Sequence, residues 1–398
     1  MSQATPPLPR APIRLGDFSL SSFVAGFVCV LVGFTSSAVI VFQAAQASGA
    51  GPAETASWIW ALGLGCGLTS IGLALRYRQP IVTAWSTPGA ALLAASSMGL
   101  TLPQATGAFI VVGALILLCG LTRGFERAMG RIPLPLAAAM LAGVLLRFGL
   151  DVFVAMQSQY LLVLAMFVLY LLGRRAWPRY AVLGALLAGV LVAGTQGQLH
   201  LGQVQARLAV PVFTAPEFSW EVLIGVALPL FVVTMASQNV PGVATLRASG
   251  YDAPVSPLIS WCGLATVVLA PFGGFSINLA AITAAICMGP EAHADRDKRY
   301  TAAVAAGLFY LAIGLFGATL VALLAAFPQE LVAAIAGLAL LNTIGGGLAT
   351  AMHDESRREP ALITFLVTAS GVTLLGIGSA FWGLVAGALA MLVLRYRK

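Results

Sequence analysis

The fold of this chain is decided by the stretch Pro271-Phe-Gly-Gly-Phe-Ser-Ile-Asn-Leu-Ala-Ala-Ile-Thr-Ala-Ala-Ile-Cys-Met-Gly289. It is apolar enough for a lipid bilayer, but a helix over residues 279–289 is only about 16 Å long, roughly half of a hydrocarbon core. Residues 275–278 follow two glycines and are expected to be extended, which lipid tolerates only where protein surrounds the backbone. Broken helices that end at mid-membrane build the binding sites of secondary transporters.

The composition is that of a membrane protein. The chain has 398 residues, of which 59% are hydrophobic and 9% charged, whereas soluble domains carry about 25% charged residues. Long, near-continuous apolar runs indicate a polytopic helical protein. The five cysteines lie singly in apolar segments without metal-ligand spacing, so we expect no disulfide, metal or cofactor.

Fourteen apolar runs follow one another along the chain. With a cytoplasmic N-terminus, 19 of the 21 Arg and Lys residues fall on the cytoplasmic side, and only Arg147 and Arg207 fall outside. This bias follows the positive-inside rule. If one segment were removed from the count, every later loop would move to the other side of the membrane and the bias would disappear. The net charge of +7 therefore reflects topology and not nucleic-acid binding. The runs lie at about 20–45, 55–75, 81–98, 103–122, 132–150, 152–172, 179–197, 219–238, 255–272, 275–289, 300–325, 328–348, 360–378 and 380–394.

The two halves of the chain resemble each other. Residues 80–95 have the build of the opening stretch, a proline, a short extended piece and a short helix of small residues. Seven segments precede the second half, so the repeats must have opposite orientation, as in secondary transporters. We predict an all-α polytopic fold of two inverted repeats of seven segments, with broken half-helices at segments 3 and 10. The divisions are a cytoplasmic N-terminal tail (1–17), the first repeat (18–197), an extracytoplasmic linker (198–218) and the second repeat (219–398).

The starts of the two half-helices are the first candidate site. Thr87, before Pro88, and Asn278 are predicted N-caps, and two positive helix ends facing each other suit an anion. Trp85 and Phe275 would supply flat apolar walls. The alternative is that caps only satisfy backbone groups and aromatic rings only pack. Occurrence at two repeat-related positions favours a binding site.

A second polar cluster ends segment 8. Ser237, Gln238 and Asn239 are adjacent, and Pro241 is expected to interrupt the helix there. Polar amides within a membrane segment need partners and often line a solute path. The alternative is a helix end that reaches the membrane surface. The repeat-related segment 1 offers Ser36, a weaker indication because hydroxyls in spans often bond their own backbone.

The titratable residues do not identify a proton carrier. All carboxylates and histidines fall in loops or near the interfaces, whereas a proton-coupled carrier usually has one at mid-membrane. Glu291 and His293, just beyond the second half-helix, are the nearest pair, and we expect them in a solvated loop.

Two long motifs resemble the bacterial benzoate:proton symporter family. They are Thr234-Met-Ala-Ser-Gln-Asn-Val-Pro-Gly-Val-Ala-Thr-Leu-Arg-Ala-Ser-Gly-Tyr251 and Ala270-Pro-Phe-Gly-Gly-Phe-Ser-Ile-Asn-Leu-Ala-Ala-Ile-Thr-Ala-Ala-Ile-Cys-Met-Gly-Pro-Glu-Ala-His293. The family is similar in architecture to the nucleobase–ascorbate and sulfate permeases. The resemblance implies a core domain (18–122 and 219–325), a gate domain (131–197 and 328–398) and a substrate between the half-helices. Nucleobase carriers use carboxylates on segments 8 and 10, where this chain has Gln238 and Ile277–Asn278.

The resemblance implies a secondary active transporter, not an enzyme, that imports benzoate or a close aromatic carboxylate with a proton across the bacterial inner membrane, both termini being cytoplasmic. Its partners would be that anion, protons and the lipid bilayer, with a homodimer left open. A carrier or exchanger of another anion on the same fold, and a channel-like or motor-type protein, are the alternatives. A membrane enzyme is disfavoured because no nucleophile, metal set or acid pair lies at mid-membrane. The candidate substrate-binding residues are Ser36, Trp85, Ser86, Thr87, Gln238, Asn239, Phe275, Ser276, Ile277 and Asn278.

Overall fold

The structure is a computed structural model that describes residues 14–94, 100–129, 132–199, 208–325, 327–372, 374 and 379–395. Most of the N-terminal tail and residues 200–207 of the predicted linker lie outside these ranges. The described residues are mostly helical. The helices are α1 Leu20–Ala47, α2 Pro52–Tyr77, α3 Thr87–Ala94, α4 Leu102–Leu121, α5 Gly124–Met129, α6 Leu134–Ala155, α7 Tyr160–Ala176, α8 Ala181–Thr195, α9 Trp220–Ala248, α10 Val255–Leu269, α11 Ile282–Met288, α12 Tyr300–Ala325, α13 Gln329–Met352, α14 Arg358–Ala369 and α15 Ser379–Arg395.

Within the described ranges, seven helices are long and apolar enough to cross a membrane, and three further apolar helices are shorter. Large apolar side chains point outward from several of them, as Leu191 and Leu118 do. Such a surface suits lipid contact and not water. A mostly helical polytopic membrane fold is therefore confirmed, whereas the count of fourteen spans and the inverted repeat stay predictions.

Helices cross closely where both partners carry small residues. α2 packs along α12, and α4 packs along α10. A Cβ added to Gly63 of α2 would lie 2.5 Å from the backbone nitrogen of Gly314, and one added to Gly263 of α10 would lie 2.4 Å from that of Leu117. Only glycine permits such approach, which is how helices gain van der Waals contact in a membrane, where lipid is as apolar as the side chains.

Helix α9 differs from its prediction. The expected interruption at Pro241 is wrong, because the helix continues to Ala248. Its turns widen to π-helix at Leu223–Ala227 and again at Met235–Asn239, directly before the proline. In a π-turn the backbone hydrogen bonds join residues five apart instead of four. The helix can therefore continue although Pro241 has no N–H to donate.

The expectation of a purely α-helical fold also needs one correction. Two short strands, β1 (Thr83–Trp85) and β2 (Ile277–Leu279), pair antiparallel in the interior, with Ala84 opposite Asn278. The extended residues before each half-helix lie in the interior, so their N–H and C=O groups need partners. Each strand supplies part of these partners to the other.

Candidate functional site

The strand pair is fixed by polar side chains of the surrounding helices. Thr83 donates its N–H to Oγ of Ser70 at 2.9 Å, and Ile277 donates to Oγ1 of Thr266 at 3.0 Å. Leu279 donates to Oδ1 of Asn239 at 3.0 Å. Buried N–H groups are thus paired from α2, α10 and α9, and the strands are held at a defined position inside the helices.

Helix α3 starts one residue earlier than predicted. Ser86, and not Thr87, is its cap, because the Ser86 Oγ accepts from the backbone N–H of Gly89 at 3.1 Å and the Ser86 carbonyl from that of Ala90 at 2.8 Å. The serine hydroxyl is spaced correctly for the third helical N–H. Thr87 is therefore free of the capping role and lines a cavity instead.

Asn278 is not the cap of the second half-helix. It lies within β2, whereas α11 begins at Ile282 with Ala281 before it and no side-chain cap. The Nδ2 of Asn278 donates to the carbonyl of Ser276 at 2.8 Å, and its buried Oδ1 has no hydrogen-bond partner among the described residues. The half-helix starts three residues later than predicted, at Ile282 and not at Leu279, because Leu279 belongs to β2, which pairs with β1.

A cavity of about 360 Å³ opens beside the two helix starts. Its polar groups are hydroxyls and one amide, and none of the described lining residues is Asp, Glu, Lys, Arg or His. Three aromatic rings and several small residues form the rest of the wall. The lining comprises Val32, Gly33, Ser37, Ala84, Trp85, Thr87, Pro88, Val144, Phe148, Ser237, Gln238, Pro241, Ala280, Ala281, Ile282, Thr283, Tyr310 and Ala380.

Trp85 is the most firmly oriented aromatic residue of the wall. Its Nε1 donates to Oγ of Ser37 at 3.1 Å, and that hydroxyl donates to the carbonyl of Gly33 at 2.6 Å. Its ring stands edge-on to Phe34 and to Tyr310, with centroids 6.0 and 5.8 Å away. A ring held on three sides offers a fixed flat surface at low entropic cost.

The π-turn of α9 divides its three polar residues between two tasks. Ser237 and Gln238 line the cavity. Asn239 is fully buried and faces the strands, since its amide oxygen accepts from Leu279 and its Nδ2 donates to Sδ of Met235 at 3.1 Å. π-turns recur at functional sites because they reorient side chains in this way.

The predicted residues do not all meet at the cavity. Trp85, Thr87 and Gln238 line it, while Ser86, Asn239, Ile277 and Asn278 lie behind the lining in the strand pair and its supports. The Ser36 side chain lies outside the described residues.

Phe275 and Ser276 lie away from the lining. Phe275 is fully buried, with its ring centroid 5.6 Å from those of Trp58 and of Phe109, and it packs on these two rings instead of lining the cavity. Ser276 has φ 44°, a left-handed conformation that only a few per cent of non-glycine residues adopt.

Sequence reasoning missed several lining residues. Tyr310 of α12, Thr283 of α11 and Phe148 of α6 sit in ordinary apolar helical runs, and nothing in their local pattern separates them from core residues. Val144, Phe148 and Ala380 come from α6 and α15, whereas the remaining lining comes from α1, β1–α3, α9, β2–α11 and α12. The cavity thus lies between α6 and α15 on one side and the other lining elements on the other side.

The loop beyond α11 also differs from expectation. Glu291 and His293 were expected in solvent, but they are buried, with 7% and 8% exposure. Glu291 forms an ion pair with Arg174 of α7, with 2.8 Å between Oε1 and Nη1. The two residues therefore belong to the packed interior and not to a hydrated loop.

Comparison with known proteins places the chain among transporters. Residues 16–393 match the family described as benzoate membrane transport protein. The chain is 51% identical over 382 residues to inner membrane protein YdcO of Escherichia coli (strain K12), covering 96% of this chain and 98% of that protein. It is 43% identical over 378 residues to the benzoate membrane transport protein of Acinetobacter baylyi (strain ATCC 33305 / BD413 / ADP1), covering 95% and 96%.

Solved structures support the same type of fold. The structure of SLC26A9 aligns with a TM-score of 0.52 at 11% identity, over 97% of this chain and 66% of that one. The murine Slc26a9 anion transporter in the inward-facing state aligns with a TM-score of 0.50 at 12% identity, over 97% and 70%. At such identities the likeness concerns the fold alone. The sequence matches carry the assignment: this chain belongs to the benzoate membrane transport protein family, whose members are membrane transporters and not enzymes.

Proposed function

We propose that this protein is a secondary active transporter of the bacterial inner membrane that imports benzoate, or a close aromatic carboxylate, together with a proton. The observation that carries the proposal is the cavity between the two groups of helices. It combines aromatic and small apolar walls with hydroxyls, an amide and the start of α3, and its described lining holds no carboxylate. A relative 43% identical to this chain is named a benzoate membrane transport protein.

The cavity chemistry suits an aromatic anion. Trp85, Phe148 and Tyr310 offer ring surfaces to the aromatic part. Thr87 and Gln238 offer an O–H and an N–H to a carboxylate at the start of the eight-residue helix α3. A protein carboxylate at this place would repel the substrate, so its absence from the described lining agrees with an anionic ligand.

The inverted repeat is supported by matching helix contacts. α2 packs on α12, and the repeat-related pair α10 and α4 packs likewise; α7 packs on α8, and the related pair α14 and α15 does the same. The antiparallel β1–β2 pair is also what two inverted, repeat-related segments would form at an axis between them. We infer fourteen segments in two repeats, with both termini cytoplasmic.

The position of the cavity supports alternating access. The proposed core (18–122 and 219–325) contributes the strands, both half-helices and the π-turn, while the proposed gate (131–197 and 328–398) contributes Val144, Phe148 and Ala380. Movement of the core against the gate as a rigid body would carry a bound anion from one side of the membrane to the other.

A coupled proton makes the import of an anion favourable. Moving one negative charge into a negative interior costs about 2.3 kcal/mol per 100 mV, and one accompanying proton cancels that cost. Coupling to the pH gradient then supplies the driving force for accumulation.

Uptake by purified protein in proteoliposomes tests the proposal. Labelled benzoate should enter saturably, should accumulate above its equilibrium level under an inward proton gradient, and should be displaced by unlabelled benzoate more strongly than by sulfate, urate or acetate. Displacement by another anion in place of benzoate would support a different substrate on the same fold. Uptake that never exceeds equilibrium would support a channel-like protein and contradict coupled transport.

A further inference from the structure

One buried carboxylate lies outside the cavity, at the boundary between the proposed core (18–122 and 219–325) and the proposed gate (131–197 and 328–398). We call this boundary the seam. Glu291 sits in the loop 289–299 that joins α11 to α12, and its side chain is 6% exposed. Its partner Arg174 is near the end of α7, which packs on α8, α6 and α13. The pair therefore joins the loop that carries the second half-helix to the opposite group of helices.

The loop itself is firmly attached to α11. Arg299 donates through Nε to the carbonyl of His293 at 2.9 Å and through Nη1 to the carbonyl of Met288, the last residue of α11, at 2.8 Å. The Nδ1 of His293 accepts from the backbone N–H of Asp295 at 3.0 Å. A displacement of α11 would therefore move Glu291 with it.

Only one of the two carboxylate oxygens of Glu291 has a partner among the described residues. Oε1 is paired with Arg174, while the buried Oε2 has no hydrogen-bond partner among the described residues. A cavity of about 10 Å³ lies against it, about the room that one water needs. Its wall is shared between α1 (Ser21, Ala25) and α11 (Ile286) on one side and α8 (Val182) and α13 (Ala339) on the other. A carboxylate that is buried with one oxygen unpaired is costly to keep charged.

We propose that Glu291 is a protonation switch at this seam: it binds a proton while the two groups of helices are packed as seen here, and it releases the proton when their separation hydrates the carboxyl group. The inference rests on the proposed movement of core against gate. It assigns to this family member a titratable residue for coupling, located at the seam and not in the substrate cavity.

The net effect of burial and the nearby charges is to raise the pKa of Glu291, as the proposed switch requires. Burial raises the pKa of Glu291 above its ordinary value of 4.5, while its own backbone N–H, Arg174 and Arg299 act in the opposite direction. Tyr170, one turn before Arg174, and His293, two residues after Glu291, are further titratable groups on the same elements. The described α1, α8, α11 and α13 side chains on the small cavity are not titratable.

Linkage then fixes the direction of the pH effect. The packed arrangement has the higher pKa, so a proton favours it. This contribution is fully present below the pKa of the hydrated carboxyl and is lost as the pH rises through the raised pKa. The packed arrangement should therefore be more populated in acid than at neutral pH.

A distance measurement by double electron–electron resonance tests the switch without any substrate. Spin labels are attached to cysteines introduced at two exposed positions, by Ala176→Cys and Ala294→Cys. Cys119→Ala removes the one native cysteine that is not buried, so that only the introduced cysteines are labelled. In lipid nanodiscs, the population at the packed distance should grow as the pH falls from 8 to 5. In Glu291→Gln, which cannot ionise, that population should not change with pH.

Arg174 provides a second variant with a directional outcome. Arg174→Gln removes a charge that lowers the pKa of Glu291, so the midpoint of the transition should rise, whereas Arg174→Lys should stay near the parent. A pH response that persists in Glu291→Gln, a parent population that ignores pH, or an Arg174→Gln midpoint that stays or falls would overturn the proposal. Failure of benzoate uptake alone would overturn the proposed substrate and leave this distance test in force.

Discussion

The backbone N–H of Leu279 donates to Oδ1 of Asn239 at 3.0 Å, with both residues fully or almost fully buried. This bond joins the π-turn of α9 to strand β2. It positions the strand that precedes the second half-helix, and the same turn presents Gln238 to the cavity. The arrangement of the site therefore depends on one amide that does not itself line the cavity.

Removing that amide should lower the stability of the protein. Asn239→Ala leaves the Leu279 N–H buried without an acceptor, which costs about 1–3 kcal/mol. We expect a lower unfolding temperature in detergent and a loss of benzoate binding. Gln157→Ala truncates an exposed amide and serves as the control. Equal unfolding temperatures for both variants and the parent would contradict this role.

Gln238 should affect binding without affecting stability. Gln238→Ala removes an uncharged hydrogen-bonding group from the cavity, worth about 1 kcal/mol, so the Kd for benzoate should rise about fivefold. Gln238→Glu keeps the size of the side chain but adds a negative charge beside the anion, and binding at neutral pH should fall further. Calorimetric titration of the purified variants measures both. Tighter benzoate binding by Gln238→Glu than by Gln238→Ala would show that the carboxylate lies elsewhere.

Gly33 should leave room in the cavity for the aromatic ring of benzoate. A Cβ at this position would approach Cγ2 of Thr283 at 3.2 Å and the hydroxyl of Tyr310 at 3.3 Å. Gly33→Val would therefore fill part of the cavity and reduce benzoate uptake, with a larger loss for ring-substituted benzoates. Gly345→Val places the same side chain where no atom lies within 4 Å, and should transport normally. Unchanged uptake by Gly33→Val would place the substrate outside this cavity.

The α2–α12 crossing should tolerate no larger residue at Gly63. A Cβ there would lie 2.5 Å from the Gly314 nitrogen, and backbone cannot yield as a flexible side chain can. We expect Gly63→Val to give little folded protein by fluorescence-detected size-exclusion chromatography. Gly72→Val, on the same helix but with nothing within 4 Å, should give parental yield. Equal yields would mean that the two helices can separate without harm.

Much of the helical architecture could be predicted from the sequence, because membrane spans must be long and apolar and broken helices need Pro, Gly and extended backbone. An extended piece within residues 80–95 and another at residues 275–278 were expected, but their pairing was not, since register depends on tertiary contacts. The same holds for the caps. Ser86 and Thr87 are both good capping residues, and only the geometry decides between them.

The candidate site was predictable to a smaller extent. Trp85 and Thr87 could be found because they flank a helix break, and Gln238 because a polar amide stands out in an apolar run. Phe275 has the same kind of local sequence but packs on Trp58 and Phe109, and residues that reach the cavity from distant helices, such as Tyr310 and Phe148, carry no local signal. The π-turn of α9 also rotates Asn239 away from the cavity, which no count of 3.6 residues per turn can foresee.

The most direct test of the central claim is labelled benzoate uptake into proteoliposomes under an imposed pH gradient, with Gln238→Ala and Asn278→Ala measured beside the parent. The parent should accumulate benzoate above equilibrium when the lumen is alkaline, and a protonophore should abolish this accumulation. Gln238→Ala should need a higher benzoate concentration for the same rate. Benzoate that is neither transported nor competitive, or uptake that is indifferent to the pH gradient, would contradict the account.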